Sequence, residues 1–258
     1  MIPTQILRVL STIRTFDVRA LLMGGQACVL YGAAEYSRDL DLAVLATPDA
    51  LPSLHSALHA LRATVIDVPS FEAPYLDRGH AVHFSIPDGS ASPLRVDIMS
   101  RLRGVEAFPA LWDRRTTIAL HDAERDGEVL VDVMALPDLV AAKKTQRDKD
   151  WPMLRRLVDA SYALGRDRMS GDDRPTKEQL AFWFAELRSP EFLVELVAHL
   201  PEVAAQSHRA VVQAVVQGHD IDAALATEQA AVMREDKAYW APLRRELELL
   251  RHEARSST

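Results

Sequence analysis

Strand-like patterning in this chain stops near Val133. Up to that point short apolar runs alternate with clusters of turn-forming residues. From Pro137 onward the pattern becomes helical, and no strand signal of any strength returns before Thr258. Such a break predicts a mixed α/β first half and an all-helical second half, joined near residues 135–150. We therefore expect two domains, 1–150 and 151–258, which a length of 258 residues accommodates. The polar segment 165–179 (GRDRMSGDDRPTKEQ) reads as a loop or linker between helices.

Within the first half, Ile2, Ile6, Leu7, Leu10 and Ile13 fall on one helical face. The apolar run 18–23 (VRALLM) predicts a buried strand ended by Gly24-Gly25, with a helix over 26–31 stopped by Gly32. Residues 40–45 (LDLAVL) alternate and predict a second strand. Residues 48–61 predict a helix with Pro52 in its first turn. A third strand is expected over 64–68. Residues 80–86 and 94–99 alternate around PDGSASP and predict a hairpin, and 116–120 and 129–133 predict further strands around HDAERDGE.

Composition removes several classes of function. Lys and Arg number 30 against 37 Asp and Glu, a net charge of -7, which excludes a general basic coat for nucleic acid. Cys28 is the only cysteine, so neither an intrachain disulfide nor a cysteine-based zinc site can form. The nine histidines show no HxxxH or HExxH spacing, and His80 and His83 point to opposite faces of their strand. No apolar run reaches 18 residues, and the N-terminus lacks the order of a signal peptide, so we expect a cytoplasmic protein with no membrane partner.

Three features of the first half carry chemistry. Gly24-Gly25 follows a buried strand, where backbone N–H groups can approach phosphate oxygens closely. Asp39 and Asp41, in SRDLDL, lie two apart at the start of a strand and so share a face. Asp97 sits in the alternating run LRVDIM. Two carboxylates side by side on a largely buried sheet repel each other, and a divalent cation resolves that repulsion. Mg²⁺, which prefers a few carboxylates plus substrate phosphates, is the expected ion, with Asp97 closing the site.

The segment GGQACVLYGAAEYSRDLDLAV resembles the signature of the nucleotidyltransferase superfamily: an apolar strand, a diglycine, then DxD preceded by polar residues. Asp97, flanked by apolar residues, resembles the third carboxylate of that fold, and LPDLVAAKKTQRDKDWPML resembles the helical segment of small bacterial members. The similarity covers roughly residues 15–155 and is greatest to minimal nucleotidyltransferases and to the abortive-infection toxin nucleotidyltransferases of type IV toxin–antitoxin systems. The resemblance implies a nucleotidyltransferase-like mixed sheet with flanking helices. It also implies transfer of a nucleoside monophosphate from an NTP, dependent on Mg²⁺ or Mn²⁺, with release of pyrophosphate. Asp39 and Asp41 would be metal ligands, and Asp97 a general base or a further ligand. Gly24, Gly25 and Ser37 would bind phosphate, and Lys143 would neutralise triphosphate charge. Arg147, Lys149 and Asp150 match the later residues of the helical segment, although Asp150 also suits an N-cap. Where many members carry Arg and Thr, this chain has Glu35 and Ser37.

The leading expectation is therefore an NTP-dependent transferase whose acceptor is an RNA 3′ end, a protein or a small molecule, such as the toxin of a toxin–antitoxin pair with an antitoxin partner. Two alternatives stand beside it: a non-catalytic nucleotide- or protein-binding module that keeps the fold, and an antibiotic-modifying nucleotidyltransferase.

Overall fold

The structure, a computed structural model, describes residues 3–34, 36–87, 93–122, 127–170 and 174–256. Glu35, most of the PDGSASP turn and the middle of the HDAERDGE loop lie outside the described residues.

Helix α1 (Thr4–Thr15) turns Ile6, Leu7, Leu10 and Ile13 inward, as the helical spacing predicts, and buries Val9 as well; Ile2 lies outside the described residues. It leads into β1 (Ala20–Met23), α2 (Gly24–Leu30) and β2 (Leu40–Val44). Helix α3 (Leu51–Ala60) follows, with a proline in its first turn, and β3 is reduced to Thr64–Val65. Both residues of β3 are exposed, so no apolar face holds the rest of 64–68 in the sheet. After α4 (Ala73–Arg78) come β4 (Val82–Ile86) and β5 (Leu94–Met99), paired antiparallel as the hairpin pattern predicts. Helix α5 (Phe108–Arg114), β6 (Thr116–Asp122) and β7 (Gly127–Val133) complete this half, with β6 and β7 antiparallel. Helices α4 and α5 escape the periodicity argument because they have six and seven residues. Each carries a proline in its first turn, and α4 also ends on the left-handed Gly79.

The seven strands form one mixed sheet in the order β3-β4-β5-β2-β1-β7-β6. Strand β2 is central: it runs antiparallel to β1 and parallel to β5. One set of side chains is buried, namely Leu40, Leu42 and Val44 on β2, Leu94, Val96 and Ile98 on β5, and Val82, Phe84 and Ile86 on β4. The alternate residues of β4 and β5 are half-buried or exposed. That alternation leaves the second face of this part of the sheet accessible to polar groups.

The remaining elements are helical: α6 (Leu136–Ala142), α7 (Asp150–Gly165), a 3₁₀ turn (Arg166–Ser170), α8 (Lys177–Glu186), α9 (Pro190–His199), α10 (Pro201–Ala205), α11 (Ala210–Gln217) and α12 (Ile221–Ser256). The architecture is thus a mixed β-sheet with flanking helices and a largely helical C-terminal region. Two compact units are present. The first comprises Met1–Ala142 together with Tyr239–Thr258, and the second Lys143–Ala238. Among the described residues no helix is long and apolar enough to cross a membrane.

In the second unit, Trp183 is fully buried with its ring edge against Tyr162 at 5.3 Å. Helix α8 opens with a capping box in which the Thr176 hydroxyl accepts from the Gln179 backbone N–H and the Gln179 side chain accepts from that of Thr176. In the first unit, the end of α12 is tied to the segment around α4. Glu246 meets Arg78 at 2.8 Å and the buried His80 at 3.0 Å.

Candidate active site

Strand pairing brings the sheet carboxylates together. In the register of the parallel pair, Asp41 of β2 lies directly beside Asp97 of β5, and in the hairpin Asp97 lies directly opposite His83 of β4. Cross-strand partners share a face, so Asp41, Asp97 and His83 form a row over three adjacent strands. Asp39, exposed at the entrance to β2, stands two residues before Asp41. Arg95, two residues before Asp97, is on the same face.

Arg95 gathers the site electrostatically. Its Nε donates to Asp97 Oδ1 at 2.8 Å and its Nη2 to Asp97 Oδ2 at 3.2 Å. The pair is a two-point contact between guanidinium and carboxylate. The guanidinium is held even more firmly protonated than usual, chiefly by its hydrogen bonds to Asp97 and further by the fields of Asp39 and Asp41. His83 Nδ1 lies 2.8 Å from Asp97 Oδ1. Burial opposes ionisation of Asp97, but the hydrogen bonds from His83 and Arg95 outweigh it and hold the carboxyl below its ordinary range.

The diglycine is in place, and its close neighbours are side chains of this same chain. Gly24 has φ +64°, and a Cβ there would fall 1.8 Å from Asp41 Oδ2. A Cβ on Gly25 would fall 2.3 Å from Ser37 Oγ. The Gly25 N–H points at Asp41 Oδ2 across 3.4 Å. Helix α2 begins at Gly24, two residues earlier than the pattern predicts, because the left-handed glycine lets the chain turn straight out of β1. The buried Gln26 of α2 donates its amide to the Ser37 carbonyl at 2.7 Å, and the Ser37 hydroxyl donates to the Asp39 carbonyl at 3.3 Å. Gln26 thereby anchors the loop that delivers Asp39 and Asp41.

The expectation of Mg²⁺ or Mn²⁺ held by Asp39, Asp41 and Asp97 is overturned. Among the described residues no group of three or more His, Cys, Asp or Glu side chains could hold a metal ion. The reason is visible in the partners: Asp97 has both oxygens engaged by Arg95 and one also by His83, while Asp41 turns an oxygen to the Gly25 N–H. Arg95, two residues from Asp97, brings positive charge to this face.

Lys143 lies in the second unit, where it is buried with its Nζ 3.8 Å from Asp150 Oδ1. Asp150 does not cap α7. It is the first helical residue, and its carboxylate accepts from the Thr145 hydroxyl at 2.5 Å and from Arg147 Nε at 2.8 Å.

Two participants, His83 and Arg95, were absent from the sequence-derived set. A hairpin centred on residue 90 would have found His83, since 83 and 97 are equidistant from it. Arg95 follows from the i, i+2 rule once Asp97 is placed. No protein-family model matches this sequence, and no curated protein matches it.

Proposed function

We propose that this chain is a nucleotidyltransferase-like enzyme that moves a nucleoside monophosphate from an NTP to an acceptor hydroxyl. The observation that carries the reading is the register of Asp41 beside Asp97, with Asp39 at the entrance to the same strand and Gly24 against Asp41. In the step, the acceptor oxygen attacks the α-phosphorus in line, the bond from that phosphorus to the β-phosphate's bridging oxygen breaks, and pyrophosphate leaves. Catalysis of this kind rests on positioning and on fixed charge. The half-exposed guanidinium of Arg95 offers a planar cation for phosphate oxygens, and the carboxylate row orients the acceptor.

The test uses the full chain with α-labelled NTPs and a cell extract that supplies RNA, protein and small-molecule acceptors. Label transfer by the wild type, abolished in Asp41→Asn with an unchanged melting temperature, supports the reading, and the labelled fraction names the acceptor class. Absence of both NTP binding and transfer refutes it.

A second reading has one observation in its favour. Asp97 already has its oxygens occupied by Arg95 and His83, as expected of a binding module that has kept the fold without the chemistry. NTP binding by calorimetry with no transfer to any fraction would select it.

A further inference from the structure

We propose that His83, oriented by Asp97, is the group that takes the proton from the acceptor hydroxyl; this rests on the transferase reading of the same site. The family resemblance implied that Asp97 would be a general base or a further metal ligand. Its surroundings argue against the role of base. A carboxylate that accepts from two guanidinium nitrogens and an imidazole nitrogen has three of its roughly four lone-pair sites committed to donors. The same hydrogen bonds hold its proton affinity below that of an ordinary aspartate, and a weak base is a poor acceptor for a hydroxyl proton.

The ring beside it has the complementary properties. A 2.8 Å approach between His83 Nδ1 and Asp97 Oδ1 is attractive only if the nitrogen carries the proton and donates it. Arg95 Nη2, 3.1 Å from the same nitrogen, is a donor already directed at Asp97 Oδ2 and does not change that assignment. With Nδ1 protonated, the neutral ring presents Nε2 as a bare acceptor. The His83 side chain is 24% exposed, so part of it is reachable from solvent. It stands in the row Asp41, Asp97, His83 rather than on the opposite face. A carboxylate fixing an imidazole tautomer, with the far nitrogen turned to the reactant, is a general means of making a base at neutral pH.

The balance of the step is complete. The acceptor O–H bond breaks and its proton goes to His83 Nε2. The oxygen's electron pair forms the new bond to the α-phosphorus, and the bridging P–O bond breaks to release pyrophosphate. Asp97 stays ionised throughout and stabilises the imidazolium that forms.

The experiment measures label transfer from α-labelled NTP, NTP affinity by calorimetry, and imidazole ¹⁵N shifts, using the wild type, His83→Ala and His83→Gln. Expected are an Nδ1-protonated His83 in the wild type, a loss of transfer of roughly a hundredfold or more in both variants, NTP affinity within about twofold, and partial recovery of His83→Ala by added imidazole. His83→Gln keeps the bulk of the side chain on β4 and guards against a loss due to misfolding. Wild-type rates in either variant would overturn the role of His83 while leaving the transferase reading standing. So would an Nε2-protonated ring, or a loss that imidazole does not restore and that tracks NTP affinity. A wild-type protein that transfers no label would overturn both.

Discussion

Gly24 is the residue most tightly bound to the site. Any L side chain there meets the Asp41 carboxylate and must also adopt a left-handed backbone. Gly24→Ala is expected to destabilise the protein by at least about 1–2 kcal/mol from the backbone alone, read as a lowered urea midpoint. Asp97 makes a pH prediction. Its folded-state pKa is depressed, so the stability it contributes is present above the unfolded value and lost as pH falls through the folded one. Asp97→Asn should therefore flatten the acid limb of a stability-versus-pH curve below the ordinary aspartate range. Gly24, Asp39, Asp41 and Asp97 were legible from local pattern, since each sits at a strand end or in an alternating run. Arg95 and His83 were not singled out, because His83 matters through what it faces across the hairpin and Arg95 through a carboxylate two residues on in its own strand.

Elements pair by rules that spacing does not display. The β4–β5 hairpin is local and could be read from its turn formers, whereas the parallel contact of β2 with β5 joins segments more than fifty residues apart and alone puts Asp41 beside Asp97. In the second unit, Glu228 of α12 binds Arg188 at 2.8 Å, and Arg209 through Nε at 2.8 Å and Nη2 at 3.0 Å. Burial opposes its ionisation, but the two arginines outweigh that and lower its pKa. Arg188 is itself buried, so Glu228→Gln leaves a buried cation without its ion-pair partner. The expected loss is roughly 3–5 kcal/mol in denaturant unfolding. At α8, Thr176→Ala removes one arm of the capping box and is expected to cost about 1 kcal/mol, measured in the same way.

On the scale of the molecule, α12 contributes to both units, passing from one to the other at Ala238 and Tyr239. Its last turns supply Glu246 to His80 and Arg78, Arg251 to Asp67, and Leu243 and Trp240 near Gly79. Deleting residues 239–258 is expected to lower the melting temperature of the first unit by several degrees while leaving the fluorescence of the buried Trp183 native-like. A single unchanged transition would show that these contacts contribute little. Nothing in the periodicity of this segment marks it as part of the first unit, since an amphipathic helix carries no record of which surface it covers.

Hydrophobic period and turn chemistry are local properties, and they sufficed to predict the strand-rich first half, the helical remainder, the diglycine and the acidic pair at the start of β2. Strand order, the Asp41–Asp97–His83 row and the return of α12 to the first unit depend on contacts between distant segments, so they became visible only in three dimensions. The same holds for the charge at the site. Paired carboxylates in the sequence suggested a divalent cation, and the structure places Arg95, from the same strand, and His83, from across the hairpin, at Asp97 where a metal ion had been expected.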